Sequence, residues 1–270
     1  MPRADRSLTF IYPDWPAPKN VRALQTTRTG GLSAAPYNSL NLGRHVGDDA
    51  VIVLRNRMLL APHLPSPTRG QCEPVWLTQT HGVKVIDAGL APCDPEGDAC
   101  IAKQAGAVCV VMTADCLPIL LCDDQGCVVG AAHAGWRGLC AGVIEATVQS
   151  MNVSAANVMA WLGPAIGQQS FEVGEEVRAA FMAQDARAAA AFTPSTAPKV
   201  GNPHPTFGWA ELTPGKWQAD IYQLARLRLN ALGITRIYGG NFCTYTDSAR
   251  FFSYRRDGVT GRMGTFIWLV

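Results

Sequence analysis

The chain has 270 residues, of which 23 are basic and 21 acidic, so its formal net charge is only +2. A chain of this length buries about three quarters of its unfolded surface, so it is expected to form a self-sufficient hydrophobic core. The near-neutral balance, without a block of like charge, argues against nucleic acid or an anionic membrane as a partner. It favours a small-molecule substrate.

The location of the protein is predicted from its apolar runs and its N-terminus. No apolar run approaches the roughly 18 residues of a membrane span, and the N-terminus lacks the apolar region of a signal peptide. We therefore expect a cytoplasmic protein that has no membrane partner. Its assembly is expected to be a monomer or a small homo-oligomer, and the sequence does not distinguish between the two. The nine cysteines show no C-x-x-C spacing, which gives no zinc-ribbon or redox motif.

The first elements are short. Two strands are predicted at residues 8–12 and 21–27, followed by a loop rich in Gly, Asn and Ser. Asp48 or Asp49 at the end of this loop can cap a helix that extends to about Leu60. The stretch VWLTQTHGVKVID then predicts two strand-like halves broken at a His-Gly pair.

Residues 105–139 hold the most informative pattern, two apolar strands around a polar turn at residues 123–126 and then a Gly-rich loop that opens a helix. A tight turn of two or four residues places Cys116 directly opposite His133. Opposite residues of an antiparallel pair have Cβ atoms about 4.5 to 5.5 Å apart on one face. A thiolate and an imidazole in that position can share one metal ion or one proton.

The remaining chain predicts helices at residues 138–151, 171–184 and 217–232 and a strand at residues 158–163. The Ala-rich and then Pro-rich stretch at about 185–207 lacks a core pattern and predicts a surface insertion. The segment beyond this insertion is small for an independent domain. The whole chain is therefore expected to form one compact α+β domain of mixed β-sheets with flanking helices.

Three residues suggest a metal centre, namely His81, Cys116 and His133. A thiolate with two imidazoles is a common zinc set, and three protein ligands leave one position for water or substrate. Because these residues are far apart in sequence, the spacing leaves three interpretations open. They are a metal site, a structural histidine with a buried cysteine, and a metal-free Cys/His nucleophile pair.

Four polar residues are candidates for substrate binding. Arg137 follows Gly135 at the start of a helix, where free N–H groups can bind an anion, although an ordinary helix start with a solvated Arg fits equally well. Arg28 and Asn41 lie in the Gly- and Asn-rich loop, where a structural turn is the alternative. Arg256 can reach a phosphate or carboxylate, or can lie on a solvated strand edge.

Two carboxylates, Asp115 and Glu172, are candidate proton carriers. Within a regular strand Asp115 points away from its neighbour Cys116. A catalytic role for Asp115 therefore requires a bend in the chain at this position.

Taken together, the motifs resemble the laccase-domain family, whose members are also called polyphenol oxidase, purine nucleoside phosphorylase or peptidoglycan editing factor. The matching strings are TGGLS, YNSLNLG, HVGDD, QTHG, TADCLPILL, AAHAGWRGL, WLGPAIG, FEVG, FFSYRRDG and TGR. They span residues 29–262 in the family's order, and ADC followed by HAGWRG is the most specific part. Cys100 and Ala102 depart from the family's usual Leu and Thr, away from the candidate ligands.

The resemblance implies a single α+β domain with zinc held by the His of QTHG, the Cys of ADC and the first His of HAGWRG. These are His81, Cys116 and His133, which would also be the catalytic residues. The implied activities are zinc-dependent phosphorolysis of adenosine, inosine or guanosine and deamination of adenosine. Phosphate would be held by backbone N–H groups and by an arginine, with Arg28, Arg137 and Arg256 as the candidates.

Other functions stay open on the sequence alone. The same site could hydrolyse a wrongly added amino acid from a peptidoglycan precursor, or act without metal as a cysteine hydrolase, or bind a ligand without catalysis. Copper-dependent phenol oxidation is disfavoured, because five histidines without an H-x-H pair are too few for a blue copper centre and a three-copper cluster. The His2Cys set could still bind one copper ion in place of zinc.

Overall fold

The computed structural model describes residues 7–65, 74–195 and 214–270. In chain order, the strands are β1 Phe10–Ile11, β2 Val21–Thr26, β3 Val75–Trp76, β4 Val85–Asp87, β5 Ala99–Ala102, β6 Val108–Thr113, β7 Leu117–Asp123, β8 Val129–Ala134, β9 Val158–Leu162, β10 Glu172–Gly174, β11 Phe192–Pro194, β12 Lys216–Ala219, β13 Arg236–Gly239 and β14 Met263–Leu269. The α-helices are α1 Ala50–Leu59, α2 Trp136–Ala141, α3 Val143–Met151, α4 Glu175–Gln184, α5 Ile221–Ala231 and α6 Tyr254–Asp257. None of the helices in these ranges is long and apolar enough to cross a membrane.

Two large sheets pack face to face. One has five strands in the order β1-β2-β14-β6-β3, and the other has six in the order β13-β9-β7-β8-β5-β4. Val111 and Ile267 from the first sheet and Leu120 and Ala131 from the second belong to one buried cluster. Since side chains alternate along a strand, each sheet presents a second set of apolar residues on its outer face.

Both outer faces are covered. Ile119 of β7 shares a buried cluster with Ile144 of α3, Phe181 of α4 and Leu224 of α5, so helices cover the six-stranded sheet. Leu42, from the long loop before α1, packs with residues on the outer face of the five-stranded sheet. A third, small sheet has the order β10-β12-β11. The predicted α+β domain of mixed sheets with flanking helices is confirmed.

The start of α1 was predicted correctly. The Asp49 carboxylate accepts hydrogen bonds from the backbone N–H groups of Val51 and Ile52 and so caps the helix. The single helix predicted at residues 138–151 is instead two helices, α2 and α3. They are separated by Gly142, whose φ of 101° lies in the left-handed region that glycine adopts readily.

Two predicted helices begin later than expected because their first residues pair as strands. Val173 of β10 is the partner of Trp217 of β12 in the small sheet. The helix α5 starts only after Asp220, whose carboxylate accepts a hydrogen bond from the Gln223 N–H. Cross-strand pairing of an aromatic with a β-branched side chain therefore outweighs the helical pattern there.

The segment predicted as a surface insertion is folded in its first part. Residues 186–191 form a 3-10 helix that leads into β11. Ala188, Ala191 and Phe192 are buried in the same cluster as the helices. Small alanine side chains let this turn approach the core closely, so it lacks the alternation by which a core segment is recognised. Residues 196–207 of the predicted insertion lie outside the described residues.

Candidate metal centre and active site

Two of the three predicted ligands belong to the hairpin of β7 and β8, since His133 lies on β8 and Cys116 directly precedes β7. The strands are antiparallel, and Pro118 is the partner of His133. The prediction that Cys116 lies directly opposite His133 is therefore wrong by two residues. The four-residue turn is displaced by one position, because the Asp123 N–H donates to the Val128 carbonyl at 3.2 Å and the Asp123 carboxylate accepts hydrogen bonds of 2.7 and 2.9 Å from the N–H groups of the two residues before β8.

The shift leaves Cys116 on the same side of the sheet as His133. Successive side chains alternate between faces, so a shift by an even number of residues preserves the face. Cys116 becomes a diagonal neighbour of His133 and lies across from Gly135. A Cβ atom at Gly135 would lie 2.9 Å from Cys116 Sγ and 2.9 Å from His81 Cδ2, so glycine is needed to leave room for the site.

His81 reaches the site from a loop. The chain between β3 and β4 passes from the five-stranded sheet to the six-stranded sheet, and His81 lies on this crossing with a φ of 63°. Cys116 Sγ is 3.8 Å from His81 Nε2, and the His81 and His133 ring centroids are 4.8 Å apart. One ligand atom from each of the three residues lies within 4.8 Å of the others, which is close enough for one metal ion.

Asp98 is a site residue that the sequence analysis missed. This fully buried carboxylate accepts hydrogen bonds from His133 Nδ1 at 2.8 Å and from the His81 N–H at 2.9 Å. Its other oxygen accepts from the N–H of Gly82 at 2.7 Å and from the N–H and hydroxyl of Thr80 at 3.1 Å. Asp98 thus fixes the His81 loop and holds His133 with Nε2 free to bind a metal.

The charges of these groups depend on one another. Burial raises the pKa of Cys116, but the charge and hydrogen bond of His133 and the hydrogen bond of His81 lower it to about 6. Burial lowers the pKa of His133, but Cys116 and Asp98 raise it to about 9. In the metal-free protein both shifts favour the thiolate form of Cys116 and the imidazolium form of His133. The thiolate is the form that binds metal.

The three residues line a cavity of about 360 Å³. The rest of its wall includes His45, Gln79, Thr113, Tyr254 and Arg262. A second cavity of about 400 Å³ adjoins it, since His45 and Gln79 line both. Ligand sites for small molecules have volumes of about 300 to 1,000 Å³, so the first cavity alone is large enough for one.

Comparison with known proteins identifies the family. The family described as multi-copper polyphenol oxidoreductase laccase matches residues 22–270. The chain belongs to this laccase family. It is 50% identical over 264 residues to a purine nucleoside phosphorylase of Pseudomonas aeruginosa, with 96% of this chain and 98% of the relative covered. It is 51% identical over 264 residues to the purine nucleoside phosphorylase YfiH of Escherichia coli, with 97% and 99% covered.

Solved structures agree with this laccase-family assignment. A Neisseria meningitidis protein superimposes with a TM-score of 0.83 at 45% identity, covering 96% of this chain and 98% of its own. The protein YlmD of Geobacillus stearothermophilus gives a TM-score of 0.79 at 32% identity, covering 96% of both chains. The predicted resemblance to this family is confirmed.

The family's description implies several copper ions, which the described donor set does not match. Over residues 7–65, 74–195 and 214–270, a single group of three or more His, Cys, Asp or Glu side chains lies close enough together to hold a metal ion. It is formed by His81, Cys116 and His133. These three ligands fit one ion. They do not fit a blue copper centre together with a three-copper cluster.

Gln79 and His45, two further residues of the cavity wall, differ in the hydrogen bonds that they can make with a substrate. Gln79 has both amide atoms engaged by the backbone of Met112, at 2.7 and 2.9 Å. His45 makes no hydrogen bond with the described part of the chain. Burial and then the charges of Arg262 and Arg57 lower the pKa of His45, so its ring is neutral at neutral pH. A neutral imidazole can both donate and accept a hydrogen bond.

Two of the predicted substrate-binding arginines are bound to backbone carbonyls. Arg28 donates from Nε to one loop at 3.0 Å and from Nη1 to another at 3.2 Å. Arg256 donates to three carbonyl oxygens and forms a paired contact with the Asp257 carboxylate. Neither is among the described residues that line the cavity. These contacts hold loops together, and substrate binding by either side chain stays a prediction.

The other two candidates also lie outside the described cavity wall. Arg137 is exposed, with its guanidinium 4.5 Å from the Trp136 ring centroid. Asn41 is fully buried, and its side-chain oxygen accepts a 2.9 Å hydrogen bond from the backbone N–H of Arg262. Asn41 therefore holds the backbone of Arg262, which lines the cavity. The TGR motif was the sequence signal that could have identified Arg262.

The two carboxylates considered as proton carriers have other partners. Asp115 has a φ of 92°, so the bend that its catalytic role required is present. Its oxygens accept hydrogen bonds from the Thr244 hydroxyl at 2.6 Å and the Arg255 N–H at 2.7 Å. Glu172 accepts a 2.6 Å hydrogen bond from the Ser195 hydroxyl. Asp115 thus ties the C-terminal loops to the bend before β7 that holds Cys116.

Proposed function

We propose that this protein is a zinc-dependent purine nucleoside phosphorylase that acts on adenosine, inosine or guanosine. The observation that carries the proposal is the group of His81, Cys116 and His133, braced by Asp98, in the wall of a cavity of about 360 Å³. The proposal is supported by relatives about half identical to this chain that are named purine nucleoside phosphorylases.

Zinc suits the donors present. A thiolate and two imidazoles match its preference for sulfur and nitrogen ligands, and three ligands leave a coordination position for substrate. A zinc ion held there would supply Lewis-acid chemistry that stabilises developing negative charge. Copper(II) binds such donors at least as strongly according to the Irving–Williams order, so it could replace zinc in vitro.

The reaction balances with phosphate as the nucleophile. A phosphate oxygen bonds to ribose C1′ while the bond from C1′ to the purine N9 breaks, and its electron pair leaves with the base. The base then takes up one proton. That proton comes from solvent, because a neutral imidazole is too weak an acid to release one. His45, neutral and without another hydrogen-bond partner in the described chain, lines the cavity and would donate a hydrogen bond to the departing base.

Chromatography of adenosine or inosine incubated with the zinc-loaded protein tests this proposal. We expect free adenine or hypoxanthine and ribose 1-phosphate only when phosphate is added. Cys116→Ala should lose bound zinc and this activity. Cys127→Ala removes an exposed cysteine from the far end of the same hairpin and should retain both.

The other candidate functions give different products in the same experiments. Inosine formed from adenosine without phosphate would establish adenosine deamination, which stays a prediction. Turnover of a peptidoglycan precursor carrying a wrong amino acid, with nucleosides unchanged, would contradict the phosphorylase proposal. Copper-dependent oxidation of phenols would also contradict the phosphorylase proposal. So would hydrolysis that needs no metal and is abolished by alkylation of Cys116. The cytoplasmic location and the monomer or small homo-oligomer also stay predictions.

A further inference from the structure

We propose that Arg262 binds the phosphate co-substrate through the free edge of its guanidinium. The inference rests on the phosphorylase function proposed above, and it assigns phosphate to an arginine that the sequence analysis did not single out. Arg262 lines the same cavity as His81, Cys116 and His133, whereas the three arginines considered for this role do not appear among its described lining residues.

The hydrogen bonds of Arg262 leave its most useful edge free. Nη1 donates to the carbonyl oxygens of Thr260 at 3.0 Å and Gly261 at 3.1 Å. The Nε and Nη2 N–H groups have no hydrogen-bond partner in the described ranges 7–65, 74–195 and 214–270. These two groups form the planar fork that matches two oxygens of a phosphate. Arg256, by contrast, uses the same edge for the Asp257 carboxylate.

The position of Arg262 is fixed from two sides. Its backbone N–H donates to the side-chain oxygen of the buried Asn41 at 2.9 Å, and the Asn41 amide is held in turn by Asp48 at 2.9 Å. A Cβ atom at Gly43 would lie 2.8 Å from Arg262 Cγ, so this glycine makes room for the side chain. An arginine anchored in this way is pre-organised for a ligand, which lowers the entropy lost on binding.

The charge of Arg262 is not neutralised by an ion pair within the described chain. Cys116 and then Asp115 act on it through space, but neither forms an ion pair with it, and both Asp115 oxygens already accept hydrogen bonds from other groups. The cavity wall also contains Thr113, a buried residue whose hydroxyl has no hydrogen-bond partner in the described structure. A half-buried guanidinium with a free edge and no ion pair in the described chain, in the wall of a substrate cavity, favours an anionic ligand.

Calorimetric titration of the zinc-loaded protein with inorganic phosphate, without nucleoside, measures the site directly. Arg262→Gln should weaken phosphate affinity by about tenfold or more, because a charge-assisted pair of hydrogen bonds is lost. Arg262→Lys keeps the charge without the fork and should give an intermediate affinity. The control Arg187→Gln removes a surface arginine that pairs with Asp185 and should bind phosphate like the wild type.

Kinetics separate this inference from the proposed function. In Arg262→Gln the KM for phosphate should rise at least as much as the affinity falls, while the KM for inosine stays within about twofold. Zinc content and the unfolding midpoint of each variant report folding. Phosphate affinity of Arg262→Gln equal to that of Arg187→Gln would overturn the assignment even if phosphorolysis is observed. Arg262-dependent phosphate binding without base release would support the anion site and contradict the phosphorylase function.

Discussion

Replacing Asp98 by asparagine should weaken both the fold and the metal site. The carboxylate accepts hydrogen bonds of 2.7 to 3.1 Å from His133 Nδ1, the Thr80 hydroxyl and three backbone N–H groups. Asparagine keeps one acceptor oxygen and turns an NH2 group toward the donors of the other. Leaving two buried donors without a charged acceptor should cost about 3 to 5 kcal/mol of unfolding free energy. Zinc affinity should fall about 10- to 100-fold, because His133 is no longer oriented.

Urea unfolding followed by tryptophan fluorescence measures the first effect, and competition with a chromogenic chelator measures the second. The matched control is Asp124→Asn, at the far end of the same hairpin, which removes a partly exposed ion pair with Arg236. Such a pair contributes about 0 to 1 kcal/mol, so the control should resemble the wild type. The reasoning would be refuted by an Asp98→Asn variant with the stability and zinc affinity of the control.

Three further predictions rest on buried hydrogen bonds and on one close approach of the backbone to the candidate metal site. The pKa of Asp98 is lowered because hydrogen bonds from His133 and from the backbone outweigh the effect of burial. The ionised carboxylate therefore stabilises the fold at neutral pH, and this contribution is lost as the pH falls below about 4. The difference in unfolding free energy between wild type and Asp98→Asn should shrink below that pH. Gly135→Ala places a Cβ atom 2.9 Å from Cys116 Sγ and should lower bound zinc well below one per chain while circular dichroism is unchanged. Tyr222→Phe removes a buried hydroxyl that forms hydrogen bonds of 2.8 to 3.1 Å with three backbone groups. The unfolding free energy measured in urea should fall by about 1 to 3 kcal/mol. A change in zinc affinity would contradict a purely structural role for Tyr222.

Local patterns predicted those features that depend on neighbouring residues. The cap of α1 at Asp49 and the break in the chain at His81 follow from residue types that act within a few positions. The hairpin of β7 and β8 was predictable in outline from two apolar runs around a polar turn. Its register was not, because hydrogen bonds made by the backbone and side chain of Asp123 shift the turn by one residue.

The roles of residues outside recognisable motifs could not be predicted from the neighbouring sequence. Asp98 lies outside the matched strings, and its importance appears only when five hydrogen-bond donors from other segments meet its carboxylate. For the arginines, charge and local sequence suggested Arg28, Arg137 and Arg256. Which guanidinium keeps a free edge depends on the carbonyl groups that surround it in the fold, and Arg262 combines a free edge with a place in the described cavity wall.

The sequence by itself determined the family and the α+β class, and it predicted the three residues that form the candidate metal site. It could do so because motif identity and side-chain alternation are properties of short segments, and a shift of two residues leaves the face of a strand unchanged. Only the tertiary structure decided that His81 arrives from a crossing between two sheets, that Asp98 braces the centre and that Arg262 faces the cavity. Those facts depend on contacts between segments that are distant in the chain, where packing and hydrogen bonding rather than local pattern set the geometry.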